Sequence, residues 1–506
     1  MEGRYNPFED PDTIPVYQIF LLFITFVGPP TFLFVLFAKR TATRPYLHHT
    51  ATILVLGDIG RSPRMMYHSE SLARHNWRTF VVGYAETPPT SALLEHPMVH
   101  LLGLKEPPKI VRHLPWVLRA PIRIIYQIFS IIHTCIWRIP CNTEILLVQN
   151  PPSIPTLAVA QFICLATKTK LIIDWHNTGY SILGLRVGES SRLVRIAKWF
   201  ESTFGQTAYA HLFVTKALQE FLVREWDLKG RTSVLHDRPP THFHRTVPMI
   251  QHELFSRFLP ELKPSIPPPH LDTNDARHTA FTEISSDGLT VLKHDRPALI
   301  ISSTSWTADE DFSLLITALD MYQSAMDSGS PLPKLVILIT GKGILRAPFE
   351  NIVKSKETSK WRDITVRCVF VPTQEYPPLL GCADLGVSLH TSSSGKDLPM
   401  KVVDMFGCGV PVLAKDFQCI DELVKDGENG KVFGTGEELG EQMIDILSSF
   451  PSSEKLDNLK AYFDRMQTPR RKATLSAADV GEDEWSNWDD NWDNVVYNGI
   501  LNKIRR

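Results

Sequence analysis

The sequence predicts an α/β protein of two Rossmann-like, doubly wound halves behind an N-terminal membrane anchor. Three observations carry this. Short apolar strands alternate with helical segments in two blocks, 48–238 and 296–465. Between the blocks, over 239–295, the periodicity lapses into stretches such as PELKPSIPPPH, which read as an interdomain linker or loop. Ahead of both, Val16–Ala38 runs for 23 residues without a charge.

Composition narrows the function classes. A chain of 506 residues suggests two to three domains, each able to bury a core. Its 53 Lys+Arg against 55 Asp+Glu leave a formal charge of −2, which argues against nucleic acid as the main partner. Seven Cys without a CxxC pair make neither a disulfide framework nor a zinc-type spacing, so reduced thiols facing cytosol are expected. The 37 Pro exceed ordinary usage and punctuate the anchor, the loops and the linker.

The 16–38 run would span about 35 Å as a helix, slightly more than the ~30 Å hydrocarbon core. Gly28-Pro29-Pro30 should kink it. It is longer than a signal-peptide core and follows an acidic stretch, which favours an uncleaved anchor. Residues 1–15, with Arg4 against Glu2, Glu9, Asp10 and Asp12, would be lumenal; Lys39, Arg40 and Arg44 leave the large C-terminal part in the cytosol. A second apolar stretch, 114–140, is interrupted by Arg119, Arg123, His133 and Arg138. It reads as a membrane-surface segment, with a buried core helix as the alternative.

In the first block, ATILVLGDIG is a strand ending in a glycine loop, and SPRMMYHSESLARH is a helix. WRTFVVGYAE, EILLVQNPPS and KLIIDWHNTGY are further strands. A helix near Arg192–Phe204, the strand–helix unit AHLFVTKALQEFLVREW and the strand TSVLHDRPP complete the half. The linker has room for a short helix around His252–Phe258. In the second block RPALIISSTSW is a strand and DEDFSLLITALDMYQ an amphipathic helix. PKLVILITGKG, ITVRCVFVP, LLGCADLGVSL and GVPVLAKD carry strands, with the helix LPMKVVDMFGCG between the last two. The acidic tail, 466–506, places Trp485, Trp488 and Trp492 on one helix face, packed on the body. Ligands of such sheets sit outside the carboxyl ends of the strands.

The segment richest in chemistry is Ser388–Ala414. Its run Thr391–Gly395 offers hydroxyls and backbone N–H groups just before a helix, a ready anion site. Pro399 falls early in that helix, where proline is tolerated. Asp397, Lys401 and Asp404 are spaced four and three apart, on one helix face, while Leu398, Val402 and Met405 fall on another. A polar stripe on an apolar helix wants a buried polar partner such as a sugar or ribose.

SSSGKDLPMKVVDMFGCGVPVLA followed by DELVKDGENGKVF resembles the nucleotide-sugar module of GT-B glycosyltransferases. GDIGRSPRMMYHS, LLVQNPPSIPTL with LIIDWHNTGYSILGL, and VLHDRPP with SSTSWTADEDF narrow the resemblance to the chitobiosyldiphosphodolichol beta-mannosyltransferase family of dolichol-linked oligosaccharide assembly. The similarity runs from the anchor to about residue 440 and lapses over Pro239–Asp295. It implies a GT-B fold, two Rossmann-like domains facing across a cleft, and inverting transfer of mannose from GDP-mannose to chitobiosyl-diphosphodolichol in beta-1,4 linkage. It also implies the cytosolic face of the endoplasmic reticulum membrane, with other mannosyltransferases of the pathway as conceivable partners. No tightly bound cofactor and no protein-bound metal are expected; stimulation by a divalent cation such as Mg is left open.

Inversion by direct displacement needs a base for the acceptor hydroxyl and stabilisation of the departing diphosphate. Lys342 and Lys401 are the cationic candidates for the diphosphate, with Ser394 and Gly395 as loop and helix-end donors. Ser303 and Ser305 are candidate donors to the nucleotide. By position in the motif, Asp397 would take mannose hydroxyls and Asp404 the ribose. Asp309-Glu310-Asp311 formally matches a DxD metal motif, but Thr307 and Glu310 have the spacing of a capping box. In the acceptor half Asp58 and Asp174-Trp175-His176-Asn177 follow strands; His176 is placed ahead of Asp58 as base because it takes a proton near neutral pH without help. Gly60, Arg61 and Arg64 could hold the acceptor diphosphate, and Asn177 completes the candidate acceptor set. Two readings stay open beside this one: a later GDP-mannose-dependent alpha-mannosyltransferase, or a catalytically inactive membrane scaffold.

Overall fold

The computed structural model describes residues 49–108, 111, 113, 115–139, 143–258, 277–307, 310–392, 394–467 and 486–504. The expected anchor over 16–38 lies outside these residues, as do Asp309 and Trp485. Among the described residues no helix is long and apolar enough to cross a membrane.

Two compact units divide the chain, one drawn from Met1–Leu212 and Leu222–Thr232, the other from Phe213–Phe221 and Ser233–Arg506. The first is built on β1 (Thr50–Asp58), α1 (Pro63–Arg74), β2 (Arg78–Tyr84), α2 (Ser91–Glu95), β3 (Val99–Gly103) and α3 (Trp116–His133). It continues through β4 (Ile145–Asn150), α4 (Thr156–Thr167), β5 (Lys170–Trp175), α5 (Gly179–Val187), α6 (Arg192–Gly205) and β6 (Thr207–Phe213). Helix α7 (Lys216–Trp226), which the division between the units crosses, and β7 (Lys229–Val234) follow. Its seven strands lie in the order β3-β2-β1-β4-β5-β6-β7, so the direction of winding reverses between β1 and β4. β1 pairs in parallel with both β2 and β4, and its first seven residues are buried, as a strand covered on both faces requires.

The second unit holds α8 (Pro248–Phe258), the hairpin β8 (Thr282–Ile284) and β9 (Thr290–Leu292), β10 (Ala298–Ser303), α9 (Phe312–Asp327) and β11 (Leu335–Thr340). Then come α10 (Arg346–Ser359), β12 (Ile364–Val369), α11 (Tyr376–Cys382), β13 (Leu385–Ser388), α12 (Met400–Gly407), β14 (Val412–Lys415) and β15 (Gly430–Phe433). Helices α13 (Gly436–Leu447), α14 (Glu454–Gln467) and α15 (Trp488–Trp492) close it. Six parallel strands lie in the order β12-β11-β10-β13-β14-β15, reversing between β10 and β13. β10 and β11 are buried at every residue.

The stretch 239–295 is more than the linker its composition suggests. Leu254, Phe255, Ala280 and Phe281 join the core that contains Leu299 and Ile301 of β10, so α8 and its neighbours belong to the second unit. Few apolar residues separated by prolines do this work, too few to leave a period. At the tail, Trp488, Trp492 and Val496 are buried at successive turns, and Asn491 Nδ2 donates to His236 O at 2.9 Å. A buried ion pair ties the foot of the second sheet: Arg296 donates to both Asp384 oxygens at 2.6 and 2.8 Å, and Leu299 N adds a third bond. Burial alone would raise the Asp384 carboxyl, but Arg296 holds it at about 2.

Candidate active site

In the first unit the chemistry gathers at the carboxyl end of β5. Asp174, the next-to-last strand residue, is fully buried and pairs in register with Gln149 of β4. Arg64 of α1 donates to it twice, Nε at 2.8 Å and Nη2 at 2.9 Å, the planar fork that suits a carboxylate. His68, one helical turn further on α1 and fully buried, places Nε2 3.3 Å from Asp174 Oδ2. His176 places its own Nε2 2.9 Å from the same oxygen while its side chain stays 24% exposed. Burial pushes the Asp174 carboxyl up, yet Arg64 and His176 hold it well below the usual carboxylate range. Burial pushes the His68 imidazole down, so it stays neutral.

This changes the part expected of Arg64. It is 4% exposed and its guanidinium is committed to Asp174, which buries it away from any acceptor diphosphate. Asp58, the alternative base, lies apart from this cluster. Its Oδ1 accepts from Glu86 N at 3.2 Å and Thr87 N at 3.1 Å, and its Oδ2 lies 3.6 Å from Arg61 Nε. Hydrogen bonding from Thr87 holds its carboxyl below the ordinary value, the wrong direction for a general base. Gly60 packs in the same corner, where a Cβ would meet Thr87 O at 2.4 Å. Arg61, by contrast, keeps 78% of its side chain exposed and remains open to an anionic acceptor.

Below His176 a second buried carboxylate organises the loop. Glu201 of α6, fully buried, accepts from Gly179 N at 2.8 Å and Tyr180 N at 3.1 Å, capping α5, and from Asn150 Nδ2 at 2.7 Å. Asn177 Oδ1 accepts from Thr178 N at 2.8 Å, so this side chain serves the turn into α5. Sequence motifs alone do not single out His68 and Glu201, although local signals mark both. His68 stands i+4 from Arg64, and Glu201 stands on the apolar stripe of Val194 and Ala197.

In the second unit the candidate donor residues surround the ends of β10 and β11 and the start of α12. Ser303 ends β10, and its Oγ lies 3.0 Å from both Thr340 Oγ1 and Tyr376 Oη. Gly341 follows β11 at φ +137°, a conformation that side chains rarely adopt, and a Cβ there would stand 1.9 Å from Thr304 O. The two strand-end loops therefore touch backbone to backbone. Lys401 Nζ reaches Ser305 Oγ at 3.3 Å and Glu310 Oε1 at 3.2 Å. Lys342 leans over the Phe370 ring, 3.5 Å from its centroid, and is not drawn into this group.

Glu310 is not the member of a capping box. The N-cap of α9 is Asp311, whose side chain accepts from Ser313 N at 2.9 Å, and the helix begins at Phe312. Glu310 is released from the helix and 6% exposed; its Oε2 accepts from Thr304 Oγ1 and, at 3.1 Å, from Ser305 N, while Oε1 faces Lys401. The carboxylate thus binds the 304–305 loop to the lysine.

Asp397 also departs from the expected helix face. α12 begins at Met400 with Pro399 as its N-cap, because a residue before proline is pushed out of helical geometry. Asp397 sits in the preceding loop, where Ser392 Oγ and, at 3.1 Å, Ser394 Oγ donate to its Oδ1. Gly395 takes φ +67° at the crest of this loop, and Thr215 Oγ1 supports it by donating to Lys396 O at 2.6 Å. Lys401 and Asp404 do share a face of α12. Burial first, then the nearby Asp237, push the Asp404 carboxyl up to about 7.

Residues 298–449 match the family described as Glycosyl transferases group 1. The chain is 39% identical over 444 residues to the Homo sapiens chitobiosyldiphosphodolichol beta-mannosyltransferase, covering 88% of this chain and 90% of that one. It is 38% identical over 414 residues to the Yarrowia lipolytica protein of the same name, covering 81% and 80%. Similarity to the Arabidopsis thaliana UDP-glycosyltransferase TURAN is 39% over 435 residues, covering 81% and 92%. Among solved structures, sucrose-phosphate synthase from Thermosynechococcus elongatus superposes with a TM-score of 0.54 at 11% identity, covering 90% of this chain and 99% of that one. A Rickettsia africae glycosyltransferase gives 0.54 at 12%, covering 83% and 93%; such likenesses speak to the fold alone.

Proposed function

Because the chain belongs to the family of chitobiosyldiphosphodolichol beta-mannosyltransferases, we propose that it moves mannose from GDP-alpha-mannose onto GlcNAc2-diphosphodolichol. It is a glycosyltransferase of the GT-B fold, with two Rossmann-like units. The acceptor atom is the 4-hydroxyl of the second GlcNAc, the product linkage is beta-1,4, and GDP leaves.

The observation that carries the mechanism is His176 held through Nε2 by a buried carboxylate at 2.9 Å. Asp174 fixes the tautomer with the proton on Nε2, so Nδ1 is the ring nitrogen that takes the acceptor proton. Arg64 and His68 hold Asp174 in place, which makes them positioning residues. As the acceptor oxygen bonds to the mannose anomeric carbon, the bond from that carbon to the GDP oxygen breaks and the pair of electrons leaves on the diphosphate. Lys401, oriented by Glu310, meets that charge. Asp397 takes mannose hydroxyls, Asp404 the ribose, and Ser303 and Ser305 donate to the nucleotide; Arg61 and Gly60 face the acceptor diphosphate. The reading needs no tightly bound cofactor. The 16–38 run anchors the chain in the endoplasmic reticulum membrane with both units in the cytosol.

The test is incubation of the purified chain with GDP-mannose and a chitobiosyl-diphosphate lipid. A trisaccharide lipid sensitive to beta-mannosidase is expected; an alpha-mannosidase-sensitive product, or none, refutes the reading.

A further inference from the structure

The C-terminal tail enters none of the chemistry above, yet it is bonded to the segment that leads into it. Trp488, Trp492, Val496, Ile500 and Leu501 are at most 3% exposed, so the tail is fixed on the second unit by its own apolar side chains. Asn491 Nδ2 donates to His236 O at 2.9 Å, and Trp488 N donates to Pro239 O at 3.3 Å. Between those two anchors stands Asp237, which adds to the rise of the Asp404 carboxyl after burial has pushed it up. Pro239 in turn packs on α12. A Cβ on Gly407, the last residue of that helix, would stand 2.5 Å from Pro239 Cβ. The 236–239 segment is therefore held between the tail and the helix that carries Lys401 and Asp404.

A second path leaves the same segment. His236 is buried, and its Nε2 lies 2.9 Å from Glu422 Oε2. Glu422 also accepts from Lys216 N at 2.6 Å and Ala217 N at 2.8 Å, and thereby caps the start of α7. Burial alone would raise the Glu422 carboxyl, but the His236 ring and the two amides hold it below the ordinary value, so it accepts as a carboxylate. Thr215, immediately before α7, donates through Oγ1 to Lys396 O at 2.6 Å, on the loop that carries Ser394, Gly395 and Asp397. Every residue on this path belongs to the second unit.

We propose that Asn491, His236 and Glu422 are positioning residues for the donor site, through which the C-terminal tail holds α12 and the 394–397 loop in their donor-binding arrangement. They act through backbone atoms, at His236 O, Lys216 N and Ala217 N, so their effect is on where the donor groups stand. Anchoring the tail does not require this polar path, because the buried tryptophans already supply the anchor. A site already in place when its ligand arrives spends less of the binding free energy on ordering. The inference deepens the donor half of the function proposed above and rests on that reading for the identity of the nucleotide.

The experiment compares the full chain with Asn491→Ala, Asn491→Asp, Asn491→Gln and Glu422→Gln, with GDP as the calorimetric ligand. Asn491→Asp keeps the shape and removes the donor. One hydrogen bond is worth about fivefold in an equilibrium, so Asn491→Ala and Asn491→Asp should raise the GDP Kd and the KM for GDP-mannose about fivefold. Their kcat should stay within about twofold of wild type and their melting midpoints within a few degrees, because the apolar core of the tail is untouched. Asn491→Gln, which keeps an amide donor, should recover part of the affinity. Glu422→Gln gives up the carboxylate that accepts from His236 and two amides, and should weaken GDP about tenfold or more. Amide hydrogen exchange on the ligand-free chain supplies the second reading. Peptides covering 215–218, 236–239 and 394–397 should exchange faster in Asn491→Ala, while those of β10 and β11 keep wild-type rates. Unchanged GDP affinity in Asn491→Ala and Asn491→Asp, a fall in kcat with KM unchanged, or faster exchange spread evenly over the second unit would each overturn the inference. Exchange needs no nucleotide, so a chain whose loops respond as expected but which binds no GDP would refute the proposed donor and leave the positioning role standing.

Discussion

Asp174→Asn is the perturbation that best separates architecture from chemistry. The wild-type carboxylate is fully buried and receives Arg64 at 2.8 and 2.9 Å, His176 at 2.9 Å and His68 at 3.3 Å. Asparagine keeps the shape and one acceptor oxygen but removes the charge, leaving the 4%-exposed Arg64 without its counter-ion. Breaking a buried pair from one side costs about 3–5 kcal/mol, and the retained acceptor puts this change near the lower end, about 3 kcal/mol. For a unit of this size that lowers the melting midpoint by roughly 6–12 °C. His176→Ala is the contrast. Its side chain is 24% exposed and it forfeits one hydrogen bond, worth about 1 kcal/mol, whereas loss of a general base costs about 10²–10⁴ in turnover. Calorimetry and steady-state transfer on both variants, with GDP binding as a control, decide the matter. His176→Ala should keep its midpoint within a few degrees and its GDP affinity, and lose its turnover. The Asp174 carboxyl lies well below its unfolded value, so its stabilisation is complete above the ordinary carboxylate range and is lost as pH falls below it. Asp174→Asn should lack that acid limb. A wild-type midpoint in Asp174→Asn, or near wild-type turnover in His176→Ala, would refute the reasoning.

Three further outcomes follow from the donor half. Glu310→Gln should cut GDP affinity about tenfold by releasing Lys401 and the 304–305 loop, with Glu310→Asp intermediate, as read by titration calorimetry. Asp404→Asn should raise stability by about 2–4 kcal/mol above pH 7 and little below pH 4. A carboxyl pushed up to about 7 makes the folded state hold its proton more tightly, so the wild type loses stability as pH rises between those limits; GDP binding should weaken in the same variant. Gly341→Ala should abolish GDP binding and lower the melting midpoint, because its Cβ would meet Thr304 O at 1.9 Å at a φ of +137°.

Legibility in the sequence followed the range of the interactions. The central strands were readable because they are buried on both faces, so ALII of β10 and LVILI of β11 appear as unbroken apolar runs. The serine-rich loop before α12 was readable for a similarly local reason, since Ser392, Ser394, Gly395 and Asp397 satisfy one another within six residues. Local spacing misled where two partners competed. Thr307 and Glu310 have the capping interval, but Asp311 takes the cap and Glu310 turns to Lys401, 91 residues away.

The sequence by itself determined the two alternating blocks, the loops that end them, and His176 beside Asp174, because strand period, proline placement and adjacent side chains are properties of short segments. Only the tertiary structure decided what surrounds those residues. It drew Arg64 onto Asp174 across 110 positions, lodged Glu201 under α5, and brought Leu254, Phe255, Ala280 and Phe281 into the second core. A buried charge must find its partner wherever the chain brings one within hydrogen-bond reach, and that meeting is set by how the helices cross the sheet rather than by any interval in the sequence.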